Sequence, residues 1–157
     1  MSNRIARNVT RHALVETFLL STGAGAPLKS GDPFKIASTQ VDPNSDIIEV
    51  MPSLLATDPV HGIARPHERL GVQADSFVPG ATFQGTLLAR FICGVVLGAT
   101  LTKGTEVTAG AGGAFIAAPP FVAGGAPLVT TAGILLRDGA SGDASELMAF
   151  PRTYTTT

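Results

Sequence analysis

The residues best suited to chemistry lie in one proline-rich stretch, residues 42–70. Asp58, His61, His67 and Glu68 carry carboxylate and imidazole groups, which are ligands for metal ions. Their spacing matches no common zinc pattern, and the intervening prolines do not fix them on one face. We therefore interpret them as solvated loop residues and expect neither a metal ion nor another cofactor.

Motifs for nucleophilic catalysis and nucleotide binding do not occur in this sequence. No serine stands in a G-x-S-x-G elbow, and the glycines of residues 110–113 are followed by neither Lys-Ser/Thr nor a helical pattern. With no tryptophan and a single tyrosine, Tyr154, the chain is poorly equipped to stack bases or sugars. We expect no enzymatic activity.

The composition favours one folded domain with more apolar surface than a monomer needs. Of 157 residues, 45% are hydrophobic and 15% are charged. A net charge of −1 gives no indication of nucleic-acid binding, and no apolar run approaches the roughly 18 residues of a membrane helix. Much apolar surface without a membrane segment favours burial between subunits. Cys93 is the only cysteine, so we expect a small core residue and no internal disulfide.

Period-two alternation predicts strands in the middle of the chain. Between Phe83 and Leu97 the odd positions are largely apolar, as a strand with one buried face requires. The even positions become apolar at Ile92 and Val96, which predicts that the far end is covered on both faces. We interpret this segment as the central strand, or a bent strand pair, of a small β domain.

A turn motif, G-A-x-L-x-x-G-x-x followed by an apolar residue, occurs twice. It begins at Gly25 and again at Gly98, and its second glycine is Gly31 in one copy and Gly104 in the other. Glycine adopts positive φ without a Cβ clash, so we predict that Gly31 and Gly104 are equivalent turn glycines. We interpret the two copies as one structural element used twice: a leucine tucked under a turn, then a strand.

The predicted fold class is all-β, a small β-barrel or β-sandwich with long loops and an extended N-terminal arm. Eighteen glycines and eleven prolines, spread along the chain, fit short strands joined by tight turns. A closing hairpin is predicted, with strands at residues 133–136 and 144–150, and Pro151 is expected to end it. We divide the chain into a basic arm (1–12), a single β domain (13–151) with long loop excursions at 42–70 and 108–127, and a polar tail (152–157).

The N-terminus has a basic start and an apolar patch, as a signal peptide does. Glu16 within that patch argues against a cleaved signal peptide.

The tract around residues 108–127 is too rich in glycine, alanine and proline to fold over its few bulky groups. We therefore predict that these groups make contacts between subunits: Phe115, Ile116, Phe121 and Val122.

Two turn-to-strand elements and the closing hairpin resemble the small capsid cement, or head decoration, proteins of tailed bacteriophages, in a branch long known only as a domain of unknown function. The resemblance covers residues 14–40 and 71–150, whereas the arm, the 42–70 excursion and the glycine-rich tract depart from it. The segments that carry it are SGDPFKIA at Ser30–Ala37, the turn at Gly98 with KGTEV at Lys103–Val107, the alternating segment before that turn, and TAGILLRDGASGDASELMAF at Thr131–Phe150.

The resemblance implies a structural protein, made in the host cytoplasm, on the outer surface of a phage capsid. It would stabilise the shell by bridging neighbouring major capsid proteins, and would bind them as a homotrimer rather than a homodimer, without nucleic-acid or membrane partners. Arg4, Arg7 and Arg11 are then candidates for capsid contacts. The alternative is a receptor- or glycan-binding module of a phage tail or cell surface, which would expose aromatic and polar clusters on its loops.

Overall fold

The computed structural model describes residues 15–40, 45–69, 72–74, 76–88 and 92–157. These ranges contain no helix, and therefore no helix long and apolar enough to cross a membrane, which confirms the predicted all-β class. The strands, in chain order, are β1 (Val15–Leu20), β2 (Leu28–Lys29), β3 (Pro33–Ile36), β4 (Ile48–Pro52), β5 (Gly62–Ala64), β6 (His67–Arg69), β7 (Val72–Ala74), β8 (Ser76–Phe77), β9 (Thr82–Leu87), β10 (Ile92–Val96), β11 (Glu106–Ala109), β12 (Phe115–Ala117), β13 (Leu128–Leu135) and β14 (Ala144–Thr155).

The first half of the chain forms a closed five-stranded barrel in the order β1-β4-β3-β5-β9. Its interior is filled by phenylalanine rings, with centroids 4.9 Å apart for Phe18 and Phe34 and 5.6 Å for Phe34 and Phe83. A barrel this narrow leaves little room inside, so glycines must face the rings. A Cβ on Gly62 or Gly85 would overlap the Phe34 ring, which accounts for glycine at both positions.

The second half forms a five-stranded sheet in the order β10-β14-β13-β11-β12. The sheet curls until its two edge strands meet at a single parallel bridge between Leu97 and Phe115. We call this unit the second barrel. Its interior is mainly aliphatic, and the side chains of Val95, Val107 and Leu147 have no exposed surface.

The two barrels have the same topology, strand for strand. The counterparts of β1, β4, β3, β5 and β9 are β10, β12, β11, β13 and β14, and neighbouring strands run in the same relative directions in both barrels. The register matches as well. Three pairs of neighbouring residues in the first barrel each have a counterpart in the second. The pair Leu20↔Val50 corresponds to Leu97↔Phe115, Phe34↔Gly62 to Val107↔Gly133, and Val15↔Thr86 to Ile92↔Met148.

The turn motif found twice in the sequence occupies the same place in both barrels. Gly31 has a φ of 85° and Gly104 a φ of 84°, so the prediction of positive φ at both is confirmed. Each N–H donates a 2.8 Å hydrogen bond to the strand opposite, from Gly31 to the Ala64 carbonyl and from Gly104 to the Leu135 carbonyl. The motif leucines, Leu28 and Leu101, are both buried beneath their turns.

The first glycines of the motif serve different purposes from the second. Neither Gly25 nor Gly98 has positive φ. A Cβ on Gly98 would crowd Ala114 and Ile116, whereas a Cβ on Gly25 would meet nothing within 4 Å. The four predicted turn glycines therefore form two pairs with distinct roles, and only the second pair depends on backbone conformation.

The barrels pack against each other through one face of the first barrel. Val60 and Ile63 belong to the buried cluster that forms the core of the second barrel, and Leu88 packs against it. A backbone hydrogen bond of 3.3 Å from Val96 to the Gly31 carbonyl joins the two units. The segment interpreted as one central strand or a bent pair is therefore the pair β9 and β10, which lie in different barrels.

Three predicted boundaries are wrong, two because short strands were interpreted as loops and one because a proline was expected to end a strand. The 42–70 excursion contributes β4 and β5 to the first barrel, and Val50 and Ile63 from it are buried. The 108–127 tract contains the end of β11 and all of β12. The closing hairpin forms, but β14 continues through Pro151 to Thr155, so residues 152–157 are not a free tail. The arm, residues 1–12, lies outside the described residues.

Substituting the positive-φ glycine Gly104 with alanine should cost stability through backbone strain alone. The site has open space for a Cβ, so we expect a loss of about 1–2 kcal/mol of unfolding free energy from the left-handed conformation. Gly25→Ala is the matched control, because that site is equally open but has no positive φ. Urea unfolding of both variants measures the difference. Equal unfolding free energies would show that the turn does not constrain the backbone.

Candidate interaction surfaces

Two of the four residues considered as metal ligands, Asp58 and His61, are engaged in structural contacts. Asp58 accepts a 2.6 Å bond from Lys35 Nζ and also accepts the N–H of Leu54. His61 Nδ1 accepts the N–H of Ile36 at 2.9 Å. His67 lies on β6, but its side chain and that of Glu68 fall outside the described part of the structure. Among the side chains that are described, no three His, Cys, Asp or Glu residues come together as a metal site would require.

Cys93 lies in the core of the second barrel, as the alternation of its strand predicts. Its side chain is buried, and burial raises the pKa of the thiol to about 12. A thiol with that pKa carries almost no thiolate at neutral pH, and the thiolate is the reactive form. Cys93 therefore acts as a packing residue.

The predicted subunit contacts divide into one core residue and three residues at the surface. Phe115 has no exposed surface and pairs with Ala109 inside the second barrel, so its assignment as a subunit contact is wrong. The cause is the short strand β12, which the glycine-rich surroundings concealed. Ile116 and Val122 are half-buried, and Phe121 is 65% exposed.

Phe121 is displayed by a loop that the end of β14 holds in place. Thr155 Oγ1 donates to the Val122 carbonyl at 2.7 Å, and the N–H of Val122 donates to the Thr155 carbonyl at 2.9 Å. Thr156 Oγ1 and the Tyr154 hydroxyl donate to two carbonyls earlier in the loop, those of Pro120 and Pro119. Residues predicted to be a polar tail are thus the support of this loop.

An aromatic and charged cluster surrounds Phe121. Its ring stands edge-on to Tyr154, with centroids 6.3 Å apart, and the Arg152 guanidinium lies 5.3 Å from the centre of the Tyr154 ring. Arg152 also forms an ion pair with Glu106. The hydrogen bond from Arg152, reinforced by one from Thr131, lowers the pKa of Glu106. The exposed Phe121 ring therefore stands beside Tyr154, and the cation lies against the ring of Tyr154.

A shallow groove of about 450 Å³ runs along the junction of the two barrels. His61 forms part of its wall. Because Nδ1 accepts a backbone N–H, the neutral imidazole carries its proton on Nε2, and partial burial lowers the pKa of His61. The residues that line the groove are Ile36, Pro59, Val60, His61, Leu87, Leu88, Thr130, Pro151 and Thr153.

Sequence reasoning missed an apolar area on the outer face of the second barrel. Met148 and Phe150 are 43% and 45% exposed on β14, beside the partly exposed Ile134 and Ile92 of neighbouring strands. Leu136, 36% exposed, extends the area just past the end of β13. We call these five residues the outer face. The run from Leu147 to Phe150 is apolar at odd and even positions alike, and this was the available indication that both sides of the strand are apolar.

Replacing each phenylalanine of the glycine-rich tract with alanine should show which ring belongs to the core and which lies at the surface. Phe115→Ala should lose about 3–5 kcal/mol of unfolding free energy, because a buried ring leaves a cavity. Phe121→Ala should change it by about 0.5 kcal/mol or less, since that ring is mostly exposed. Chemical denaturation of the two variants measures this contrast. Similar losses for both would contradict the assignment of Phe115 to the core.

The folded protein should become less stable as the pH is lowered through the titration of His61. Its pKa in the folded state lies below the ordinary 6.5, so the unfolded chain takes up the proton first as the pH drops through that value. Proton uptake therefore favours the unfolded state and lowers the free energy of unfolding. Above the ordinary pKa this contribution is constant. His61→Asn keeps an acceptor for Ile36 without titrating. Unfolding free energies at about pH 7.5 and about pH 5.5 should converge more closely in the variant than in the original protein. An identical pH dependence would rule out this role.

No protein-family model matches this chain, and no curated protein matches it in sequence. Among solved structures it is similar to the head fiber gp8.5 N base of bacteriophage phi29, with a TM-score of 0.60 and 13% sequence identity. The alignment covers 92% of this chain and 99% of that chain, so it takes in both barrels. At this level of identity the likeness shows a shared fold.

Proposed function

We propose that this chain is a structural protein of a bacteriophage virion that binds the outer surface of the capsid and bridges neighbouring major capsid proteins. The observation that carries the proposal is the likeness of both barrels, over nearly their whole length, to the base of a phage head fiber. The resemblance of the turn-to-strand elements and the closing hairpin to capsid cement proteins supports it independently.

A bridging protein must transmit force between its contacts without deforming, and the packing of the barrels suits this task. Side chains of both units share one buried cluster. Binding to the assembled shell, and not to free subunits, would make disassembly more costly by mass action. The proposed stabilisation therefore needs no chemistry beyond tight binding to the shell.

We further propose that the protein acts as a homotrimer. Several copies that bind together gain avidity without new kinds of contact. Of the residues first considered for subunit contacts, Ile116, Phe121 and Val122 remain candidates, and Phe121 is the most exposed.

A second function is favoured by one observation, the cluster of Phe121, Tyr154 and Arg152. An exposed aromatic ring beside a second ring that contacts a cation is the kind of surface that a receptor- or glycan-binding module presents on its loops. In that case Phe121→Ala would abolish glycan or receptor binding and leave capsid binding unchanged. The number of copies per purified virion separates the two functions, because hundreds favour a capsid protein and a handful favour a tail component.

Binding of the purified protein to particles assembled without it tests the capsid proposal. We expect saturable binding and a higher disruption temperature of the decorated particles. Deleting residues 1–12 should weaken attachment while leaving the melting temperature of the free protein unchanged. Replacing Arg4, Arg7 and Arg11 with alanine should produce part of that loss, and the loss should shrink at high salt.

The outcomes are distinct. If the intact protein does not bind, the capsid proposal is wrong. If the truncated protein binds as well as the intact one, the arm makes no contact, and attachment must come from the barrels.

A further inference from the structure

The internal repeat allows the outer face of the second barrel to be compared with its counterpart in the first. Strand register makes Ile134 equivalent to Ile63, and Met148 equivalent to Thr86. Phe150 lies two residues after Met148 and Leu88 lies two residues after Thr86, so Phe150 is equivalent to Leu88. The outer face of the second barrel therefore corresponds to a defined face of the first.

That face of the first barrel is an interface within the chain. Ile63 and Thr86 are each 1% exposed, and both Ile63 and Leu88 pack against the core of the second barrel. The occupant that covers the face is thus another barrel of the same fold. This is an observed use of the face, made by this chain itself.

The corresponding face of the second barrel is no less apolar, yet it is exposed. Thr86 is replaced by Met148 and Leu88 by Phe150, which are 43% and 45% exposed. Exposed apolar side chains clustered on one sheet face mark an interaction site, whereas the same residues scattered singly do not. In the part of the chain that the structure describes, a surface with the composition of an interface is therefore partly exposed.

The charges around the outer face suit a partner that carries the same surface. Arg137 and Glu146 form a 2.9 Å ion pair at one end of the face, and Arg152 and Glu106 form another beyond Phe150. Each pair contains both signs, so two copies can approach without net repulsion. An apolar centre with a polar rim is the usual anatomy of a specific interface.

From these observations we propose that the outer face, formed by Ile92, Ile134, Leu136, Met148 and Phe150, docks a barrel of a second copy of this chain. The contact repeats between chains the use that the first barrel makes of its equivalent face within the chain. The inference deepens the proposed self-association, but it does not depend on capsid binding, because it concerns the purified protein alone.

Sedimentation of the full chain, without particles, tests the proposal. We expect the protein to associate at micromolar concentration and Met148→Lys to weaken that association by about tenfold or more. Val78→Lys is the matched control, since Val78 is 64% exposed and lies outside the face. Circular dichroism and the melting temperature establish that both variants are folded.

A cross-linking experiment keeps the proposal testable if Met148→Lys does not fold. Met148→Cys places an exposed thiol in the face, while Cys93 is buried and unreactive. With diamide as the oxidant, two such thiols should lose their protons and electrons to form a disulfide-linked dimer of the native protein. Val78→Cys should remain largely monomeric under the same conditions.

Three results would overturn the proposal: a protein that sediments as one chain at high concentration, association that Met148→Lys leaves unchanged, or cross-linking that is equal at both positions. A single-chain protein whose particle binding is lost in Met148→Lys would identify the capsid as the occupant instead. Conversely, association without particle binding would refute the capsid proposal and leave this one standing.

Discussion

The second barrel depends on side chains that the first barrel supplies. In the first barrel, β1 and β4 close the structure through three paired residues, whereas β10 and β12 meet at one bridge. Val60 and Ile63 complete the buried cluster of the second barrel from outside its own strands. Apolar burial contributes about 25 cal/mol for each Å² removed from water. An orientation of the two units that exposed Val60 and Ile63 would lose this contribution, so the contact helps determine how the units are oriented. The groove at their junction and the location of the partly exposed outer face follow from it.

The parts of the fold that could be predicted are those fixed by local backbone chemistry. The twice-used turn could be recognised because Gly31 and Gly104 have positive φ, a conformation that favours glycine. The spacing from each of these glycines to the motif leucine is also the same in both copies. The rest of the repeat was not visible, because loops of different length separate equivalent strands. Leu20 corresponds to Leu97 and Thr82 to Ala144, so no single period aligns the two halves.

Very short strands and one unusual proline account for the errors in the predicted boundaries. β5 has three residues, begins with glycine and shows no alternation that a sequence pattern could reveal. Pro151 was expected to end the last strand, but it lies where the pairing of β13 with β14 shifts register. A proline is tolerated at such a bulge because the ladder is already interrupted there. Phe115 was misjudged for a similar reason, since a three-residue strand between glycine turns resembles a loop. The apolar pattern of Leu147 to Phe150 indicated that both sides of the strand are apolar, but only the repeat relates the outer side to a face that is buried in the first barrel.

The difference in closure between the barrels has a consequence for the order in which they fold. Synthesis delivers the phenylalanine-filled unit first, and its strands can pair with one another completely before residue 92 has been made. The second unit, by contrast, can bury its core fully only against a surface that already exists. Domains generally fold in order of synthesis, N-terminal part first. The earlier half of this protein thus serves as an internal template on which the later half is completed, and reversing the order of the two halves would remove that advantage.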